Sequence, residues 1–361
     1  MKPSDAASLL PSLPQGADIL ILRLRSLGDM VLETPAIAAL HAWRPDLRIS
    51  VLAEPWCAAV VEGNPGVTEI LISREFWKTA RELRRRRFSI VFNQHGGPRS
   101  VFLTAASGTK VRVGWKGFQY SFLYNSRVPD VGEFYGTNAV HTVKHRMSQF
   151  YWCGLPLEPI PRTQVFPQAD AIESVTRALA EKGIAPDEPY AVLQPGARLS
   201  GMRWPAEKFA AMARWLLEAH GIASVVNLGP RDEEIAAVVR SEMHDCAAIL
   251  ETLDARQLIA LLAGARIFVG NDSGPAHIAA AAERACVVIF GATSPVQWSP
   301  WQAESRVVST GAIFESRRGD QAVAVREPRP IAAIGVEEVR DACEELLMLE
   351  AVVKSGNKKT Q

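Results

Sequence analysis

Short apolar runs alternate with amphipathic stretches along most of the chain. Nearly continuous apolar runs are typical of strands buried in parallel sheets, and the stretches between them have helical periodicity. The predicted strands are Asp18–Leu24, Leu47–Leu52, Glu69–Ile72, Ser89–Asn93 and Val111–Val113, followed by Tyr190–Gln194, Ala223–Leu228, Ala248–Glu251, Ile267–Val269 and Cys286–Phe290. The predicted helices are 31–43, 55–62, 75–87 and 98–106, followed by 170–182, 205–219, 232–243, 254–263 and 275–282. Two such series predict an α/β protein with two doubly wound domains facing each other across a cleft.

The two series are separated by a proline-rich passage, which contains Pro156, Pro159, Pro161 and Pro167. Because proline interrupts regular structure, this passage is the predicted linker. The resulting domain prediction is an N-terminal tail 1–17, a first domain 18–160, a second domain 168–335, a C-terminal helix 336–354 and a polar tail 355–361.

Composition narrows the class of protein and its location. A chain of 361 residues suits two domains, and a formal net charge of +1 gives no general attraction to nucleic acid. The five cysteines are scattered and have no metal-type spacing, as expected for buried free thiols in a reducing compartment. Residues 1–17 contain no apolar core of a signal peptide, and no run has the length of a membrane span. We therefore expect a cytoplasmic protein.

The turn after the first strand, Arg25–Met30, carries candidate chemistry. Gly28 stands alone where a dinucleotide-binding turn needs three spaced glycines, which argues against a dehydrogenase. Asp29 instead offers a carboxylate at the edge where open α/β sheets bind ligands. The alternative is that Asp29 only caps the helix that begins near Met30.

A matching turn follows the strand at Ile267–Val269, and a helix opens there at Pro275. A helix N-terminus favours a phosphate or diphosphate, because its unpaired N–H groups and its dipole both attract an anion. Asp272 would repel phosphate, so it is better suited to sugar hydroxyls. The alternative is that Asp272 and Ser273 merely cap this helix.

These turns, together with two further motifs, resemble glycosyltransferase family 9, which contains the ADP-heptose–lipopolysaccharide heptosyltransferases. The matching segments are 27–36, 194–197, 203–205 and 271–277, in the family's order, and the likeness extends over about residues 18–345. The resemblance implies a GT-B fold of two Rossmann-like domains, with the acceptor site mainly in the first and the nucleotide-sugar site mainly in the second. It implies inverting transfer of a sugar, expected to be heptose from ADP-heptose, to a lipopolysaccharide-type acceptor, without metal or other cofactor.

The resemblance also assigns roles to single residues. Asp29 matches the catalytic base, which removes the proton of the acceptor hydroxyl, and we expect burial on closure of the cleft to raise its affinity for a proton. Ser273 and Gly274 match the phosphate-contacting turn, and Asp272 matches the residue that contacts the sugar. His277 lies on the first helical turn, where its ring either faces the diphosphate or packs inside the domain.

One position departs from the family pattern. The family commonly has a phosphate-binding lysine where this chain has Met202. Arg203 is the expected replacement, since a guanidinium binds phosphate well, and Arg198 is the alternative. Arg203 otherwise reads as a solvated charge before a helix.

Weaker assignments complete the site. Glu234 is the best-spaced match to a glutamate that contacts the nucleoside, with Glu233 beside it, although acidic residues also suit a first helical turn. Gln94 and His95 end a strand of the first domain, and with Gly28 they are candidates for the acceptor crevice.

Arg81 and the run Arg84–Arg87 form the strongest charge cluster. Such a cluster is typical of a solvated helix end, and alternatively docks on anionic lipid, which would give peripheral contact with the inner face of the cytoplasmic membrane. Two other functions stay open. One is another GT-B nucleotide-sugar enzyme, with a different donor or as an epimerase. The other is a degenerate nucleotide-sugar-binding protein, suggested by Met202.

Overall fold

The computed structural model describes residues 3–157, 159–229, 232–316, 322–326 and 329–357. The chain divides into two compact units, one composed mainly of Met1–Phe166 and the other of Pro167–Glu315 and Ala322–Gln361. Each unit contains a six-stranded sheet with helices, so the predicted α/β class is confirmed.

The first unit is a parallel sheet in the order β3-β2-β1-β4-β5-β6. The chain order reverses between β1 and β4, and the carboxyl ends of these two strands are where such a sheet forms its ligand crevice. The strands are β1 (Asp18–Leu22), β2 (Arg48–Ala53), β3 (Glu69–Ile72), β4 (Ile90–Asn93), β5 (Val111–Trp115) and β6 (Ser126–Val128). The helices are α1 (Pro3–Ala6), α2 (Leu27–Val31), α3 (Thr34–Trp43), α4 (Pro55–Ala58), α5 (Phe76–Arg86), α6 (Pro98–Ala106), α7 (Val131–Tyr135) and α8 (Thr142–Trp152).

The segment before β1 differs from the predicted tail. Ala6 and Leu10 are fully buried, and the Leu10 N–H donates a 2.9 Å hydrogen bond to the carbonyl of Cys153 at the end of α8. Gly154 has a φ of +100°, and a Cβ there would lie 2.0 Å from the carbonyl oxygen of Ala7. A glycine is therefore what lets the N-terminal segment pack on the end of α8.

The second unit repeats the same plan, with a parallel sheet in the order β12-β11-β10-β7-β8-β9 and a reversal between β7 and β10. Its strands are β7 (Tyr190–Gln194), β8 (Ala223–Leu228), β9 (Ala248–Glu251), β10 (Ile267–Asn271), β11 (Ala285–Phe290) and β12 (Ser305–Ser309), with a separate pair β13 (Ile313–Ser316) and β14 (Ala322–Arg326). Its helices are α9 (Ala169–Glu181), α10 (Ala206–His220), α11 (Glu233–Met243), α12 (Ala255–Gly264), α13 (Gly274–Ala281), α14 (Pro295–Trp298) and α15 (Val336–Asn357).

The C-terminal helix belongs to the core of the second unit. Cys343 and Leu346 of α15 pack in one buried cluster with Phe209 of α10 and Val269 of β10. The helix runs three residues beyond the predicted end at 354, and residues 358–361 of the predicted polar tail lie outside the described residues. All five cysteines are free thiols. Over the ranges that the structure describes, no helix is long and apolar enough to cross a membrane.

Candidate functional site

Asp29 lies at the crevice of the first unit, in the short helix α2 that follows β1. Its Oδ2 accepts hydrogen bonds from Ser26, at 3.2 Å from the backbone nitrogen and 2.9 Å from the hydroxyl. These contacts form a capping box in which Ser26 is the N-cap and Asp29 the third residue of α2, so Asp29 supports a helix that begins at Leu27 rather than capping one that begins near Met30. The carboxylate nevertheless keeps a side-chain exposure of 22%, which leaves it accessible to a substrate.

Two buried arginines hold the other carboxylate oxygen of Asp29. Arg23 Nη2 lies 2.5 Å and Arg146 Nη2 lies 2.6 Å from Asp29 Oδ1. Arg23 follows β1, whereas Arg146 comes from α8, a helix that the sequence pattern did not predict. With Ser26 on Oδ2, Asp29 accepts four hydrogen bonds, which is about the capacity of a carboxylate.

The charge environment of Asp29 opposes the effect expected of burial. Burial alone raises the pKa of Asp29, but Arg23, Arg146 and the hydrogen bonds from Ser26 outweigh burial and hold the pKa well below its usual range. Burial thus acts in the expected direction on the proton affinity of Asp29, but in this arrangement its effect is outweighed. The physical reason is that two cations lie in direct contact with the carboxylate, and they favour its charged form.

Glu33 completes the cluster and was missed as a functional residue. Its side chain is fully buried, and its Oε2 lies 3.4 Å from Nη1 of Arg146. Burial raises the pKa of Glu33 to about 7, although Arg146 and Arg23 act in the opposite direction. Glu33 stands within a segment that matched the family motif, but no local pattern shows that a residue directly before a helix is buried.

The turn after β4 closes this crevice. The backbone carbonyl of Gln94 accepts hydrogen bonds from Arg23 and, at 3.4 Å, from Arg146. His95 is partly exposed, and burial, followed by the charge of Arg23, lowers its pKa to about 4, so the ring is neutral at pH 7. Gly28 is buried within α2. The residues predicted for the first domain therefore lie together at the point where the strand order reverses between β1 and β4; they are Gly28, Asp29, Gln94 and His95.

Asp272 lies at the reversal of strand order in the second unit, directly after β10, the strand that corresponds to β4 of the first unit. It is 8% exposed, and its Oδ2 accepts a 2.5 Å hydrogen bond from the hydroxyl of Thr293. Burial raises the pKa of Asp272 to about 6, with Thr293 and the charge of Arg198 opposing the shift. A buried carboxylate with few partners is suited to accept hydrogen bonds from sugar hydroxyls.

The start of α13 is left without a side-chain cap. Ser273 is the N-cap residue, but its hydroxyl donates to the carbonyl of Asn271 at 3.0 Å, and no side chain caps the helix. The helix begins at Gly274, one residue before the predicted start at Pro275. The idea that Asp272 and Ser273 merely cap this helix therefore does not describe the structure. Backbone N–H groups at this end are available to an anion.

Asn271 forms hydrogen bonds with the two loops beside the start of α13, the loop after β7 and the loop before α10. Its side chain is fully buried; Oδ1 accepts a 3.0 Å hydrogen bond from the N–H of Trp204, and Nδ2 donates at 2.7 Å to the carbonyl of Pro195. The loops after β7 and before α10 are thereby fixed beside β10. Asn271 is part of the sequence motif, but this positioning role is visible only in the structure.

Arg203 and Glu234, both predicted to contact the donor, pair with each other. Arg203 Nη1 lies 2.6 Å from Glu234 Oε2, and Arg203 Nε donates to the carbonyl of Ala197 at 2.9 Å. The Arg203 side chain is 14% exposed and the Glu234 side chain 77% exposed. Met202 is 5% exposed. A methionine therefore fills a core position here.

His277 lies on the first turn of α13 and is 5% exposed. Its ring centroid is 6.4 Å from that of Trp298 in α14. The ring is therefore buried within the second unit, on the first turn of the helix whose N-terminus is the candidate anion site. Among the described residues, no group of three or more His, Cys, Asp or Glu is arranged to hold a metal ion.

The sequence is similar to those of known glycosyltransferases. The family model for glycosyltransferase family 9 (heptosyltransferase) matches residues 76–321. Lipopolysaccharide heptosyltransferase 2 of Escherichia coli K12 is 26% identical over 325 residues, which cover 84% of this chain and 91% of that protein.

Solved structures show the same fold. A family 9 glycosyltransferase from Veillonella parvula superposes with a TM-score of 0.81 at 20% identity, covering 93% of this chain and 98% of that one. The E. coli ADP-heptose lipopolysaccharide heptosyltransferase II superposes with a TM-score of 0.74 at 24% identity, covering 92% and 99%. The two-domain α/β architecture is thus that of the GT-B heptosyltransferases.

Proposed function

Since the chain belongs to glycosyltransferase family 9, we propose that it transfers a heptose from ADP-heptose to a lipopolysaccharide core or related glycan, with inversion at the sugar. The names of the similar proteins support this donor and acceptor class. The observation that carries the proposal is the pair of matching crevices. One presents the partly exposed Asp29 carboxylate, and the other presents Asp272 beside an uncapped helix start.

Asp29 serves as the base in this proposal. The acceptor hydroxyl donates to Oδ2 in place of the Ser26 hydroxyl, since Oδ1 is held by Arg23 and Arg146. The acceptor oxygen then forms a bond to the anomeric carbon, and the bond to the diphosphate breaks and gives its electron pair to the leaving ADP. The proton moves to Asp29.

The low pKa of Asp29 is compatible with this role. Glycosyl transfer passes through an oxocarbenium-like state, so the attacking hydroxyl becomes acidic only as its oxygen bonds to the sugar. A carboxylate that stays ionised at every physiological pH can then take the proton late in the step. The two arginines also fix its orientation, which contributes to rate through positioning.

The second unit holds the donor in this proposal. The N–H groups at Ser273 and Gly274 and the dipole of α13 stabilise the diphosphate as charge develops on it. Arg203 turns from Glu234 to the phosphates, and Asp272 accepts hydrogen bonds from the sugar. Because these groups offset the negative charge of the leaving diphosphate, we propose transfer without a metal ion.

We also propose peripheral contact with the cytoplasmic membrane, where a glycolipid acceptor is embedded. Phe102, Tyr120 and Phe122, which we call the aromatic patch, are 42%, 36% and 68% exposed. Their rings form a chain, with centroids 5.2 Å and 6.4 Å apart. Aromatic rings at a surface favour the interface between lipid and water.

The position of the aromatic patch supports this proposal. A Cβ on Gly96, in the turn after β4, would lie 2.2 Å from the ring of Phe118, so the loop that carries Tyr120 covers the edge of the acceptor crevice. Helix α6, which carries Phe102, packs against α5, where Arg84 and Arg85 are exposed. Aromatic and basic groups together match an anionic bilayer.

A nucleotide-sugar panel tests the donor class. Thermal shift should be largest with ADP-heptose, and a larger shift with another nucleotide sugar would favour a different donor. Met202 is the observation that favours a degenerate binding protein, since it lacks the charge that the family commonly has there. That alternative predicts a donor-induced shift without any transfer.

A further inference from the structure

Glu33 is a fully buried carboxyl that the transfer steps above do not use. We propose that it is a positioning residue, whose charge sets how strongly the guanidinium groups of Arg146 and Arg23 hold the Asp29 carboxylate. The proposal rests on the proposed function, in which Asp29 accepts the proton of the acceptor.

Positive and negative side chains alternate in a row. Asp29 Oδ1 lies 2.5 Å from Arg23 Nη2 and 2.6 Å from Arg146 Nη2. The other terminal nitrogen of Arg146, Nη1, lies 3.4 Å from Glu33 Oε2. One guanidinium thus contacts both carboxyl groups through different nitrogens. The side chain of Glu33 does not cap α3, although the residue is its N-cap, so it is turned inward toward Arg146.

The charge of the row depends on Glu33. When Glu33 is ionised, two positive and two negative groups balance; when it carries a proton, the row has a net charge of +1. In a buried environment this difference is poorly screened. With Glu33 neutral, Arg146 is left with Asp29 as its carboxylate partner, and Asp29 becomes a weaker proton acceptor.

Glu33 is also the member of the row that changes charge near neutral pH. Burial raises its pKa to about 7; Arg146 and Arg23 oppose this shift, and Asp29 adds to it. Arg146, Arg23 and Asp29 are the charged groups with the largest effects on the pKa of Glu33. Asp29 stays ionised because its pKa is far below 7, and His95 stays neutral because burial lowers its pKa to about 4.

The consequence is a step in the rate of transfer. As pH rises through about 7, Glu33 ionises and offsets part of the positive charge of the two arginines. Asp29 then becomes a stronger proton acceptor, and kcat increases. Glu33→Gln keeps the shape of the side chain but cannot ionise. We expect this variant to lose the step near pH 7 and to run at the low wild-type plateau, roughly threefold to tenfold below the wild-type rate at pH 8.

The experiment measures kcat and the KM for ADP-heptose from about pH 5 to 9 in the full-length protein, the range in which such a carboxyl titrates. Glu33→Gln should lower kcat and leave KM for the donor unchanged. Glu75→Gln, at an exposed position on the same unit, is the matched control. Glu33→Asp should restore a step, because it can ionise, whereas a role in packing alone gives no such rescue.

A readout independent of turnover is the infrared band of a protonated carboxyl group. The wild type should show a band that disappears near pH 7 and is absent from Glu33→Gln. A wild-type rate profile in Glu33→Gln, or a Glu33 that is ionised throughout, would overturn the proposal. The Asp29→Asn variant distinguishes failure of the proposed function from failure of the role of Glu33. If Asp29→Asn still transfers the sugar, Asp29 is not the base. If Asp29→Asn is inactive but Glu33→Gln has the wild-type pH profile, only the role of Glu33 is rejected.

Discussion

Arg146 and Asp29 form a 2.6 Å ion pair although 117 positions separate them in the chain. Arg146 comes from α8 and Asp29 from α2, so a helix outside the motif of Asp29 acts on this carboxylate together with Arg23, whose charge has the larger effect on its pKa. The pair keeps the carboxylate ionised and fixed in place. It also links the base to the buried Glu33.

Asp29→Asn should abolish most transfer and leave donor binding nearly intact. The amide keeps the size of the side chain but cannot accept the proton, and a general base supplies roughly 10²- to 10⁴-fold in rate. Steady-state kinetics and calorimetry with ADP-heptose measure the two effects separately. Near-normal turnover in folded Asp29→Asn protein would exclude Asp29 as the base.

Asp272→Asn should remove a pH dependence of donor affinity. The pKa of Asp272 is raised to about 6, so the carboxylate that accepts hydrogen bonds from the sugar is present above that pH and lost below it. Wild-type affinity should therefore fall by up to about tenfold for each pH unit below 6. Titration calorimetry at several pH values measures this affinity. If donor affinity has the same pH dependence in Asp272→Asn as in the wild type, Asp272 does not contact the donor.

Gly274→Val should weaken binding of ADP and its sugar conjugates. A branched side chain at the first residue of α13 blocks the approach of the diphosphate to the helix N–H groups. Ala282→Val, just beyond the other end of the same helix, is the control and should bind normally. Calorimetry that finds equal ADP affinity in both variants would disprove the anion site.

Arg203→Ala should reduce affinity for the nucleotide sugar by roughly tenfold to a hundredfold, the range for a charge-assisted contact to phosphate. Glu234→Gln should raise diphosphate affinity, because it releases Arg203 from its 2.6 Å ion pair. Met202→Lys should lower stability rather than strengthen binding, since Met202 is 5% exposed. Calorimetry and thermal melting measure these quantities. Unchanged affinity in Arg203→Ala would show that this loop does not contact the phosphates.

Replacing the aromatic patch by serine at positions 102, 120 and 122 should reduce binding to anionic lipid vesicles by at least about tenfold, because each exposed ring contributes on the order of 1 kcal/mol at an interface. Leu217→Ser, at another exposed apolar position, is the control. Transfer to a short water-soluble acceptor should be unaffected. Equal vesicle binding by the triple variant and the control would rule out the patch as the contact surface.

The sequence was informative wherever the signal was local. The strand β10, the turn at Asp272 and the helix opening at Gly274 and Pro275 follow one another within a few residues, and their order predicted the structure. The same holds for β1 and Asp29. Asp29 was found because it lies in the turn-and-helix segment that follows a strand with a recognisable apolar pattern.

The parts that the sequence did not reveal depend on contacts between distant segments. Helix α8 was not predicted, because Arg146, Ser148 and Gln149 are buried polar residues that hide its apolar face. The burial of Glu33 and Met202 has no local signal either. Consequently the low pKa of Asp29 and the high pKa of Glu33 became apparent only from the folded chain.

A transfer assay read by mass spectrometry tests most directly whether the protein transfers heptose with Asp29 as the base. The purified protein is incubated with ADP-heptose and a lipopolysaccharide core acceptor that lacks its outer heptose, beside Asp29→Asn as control. The wild type should add the mass of one heptosyl residue to the acceptor and release one ADP for each transfer, while Asp29→Asn should add none. Donor binding without any mass increase, or equal transfer by both proteins, would contradict the proposed function.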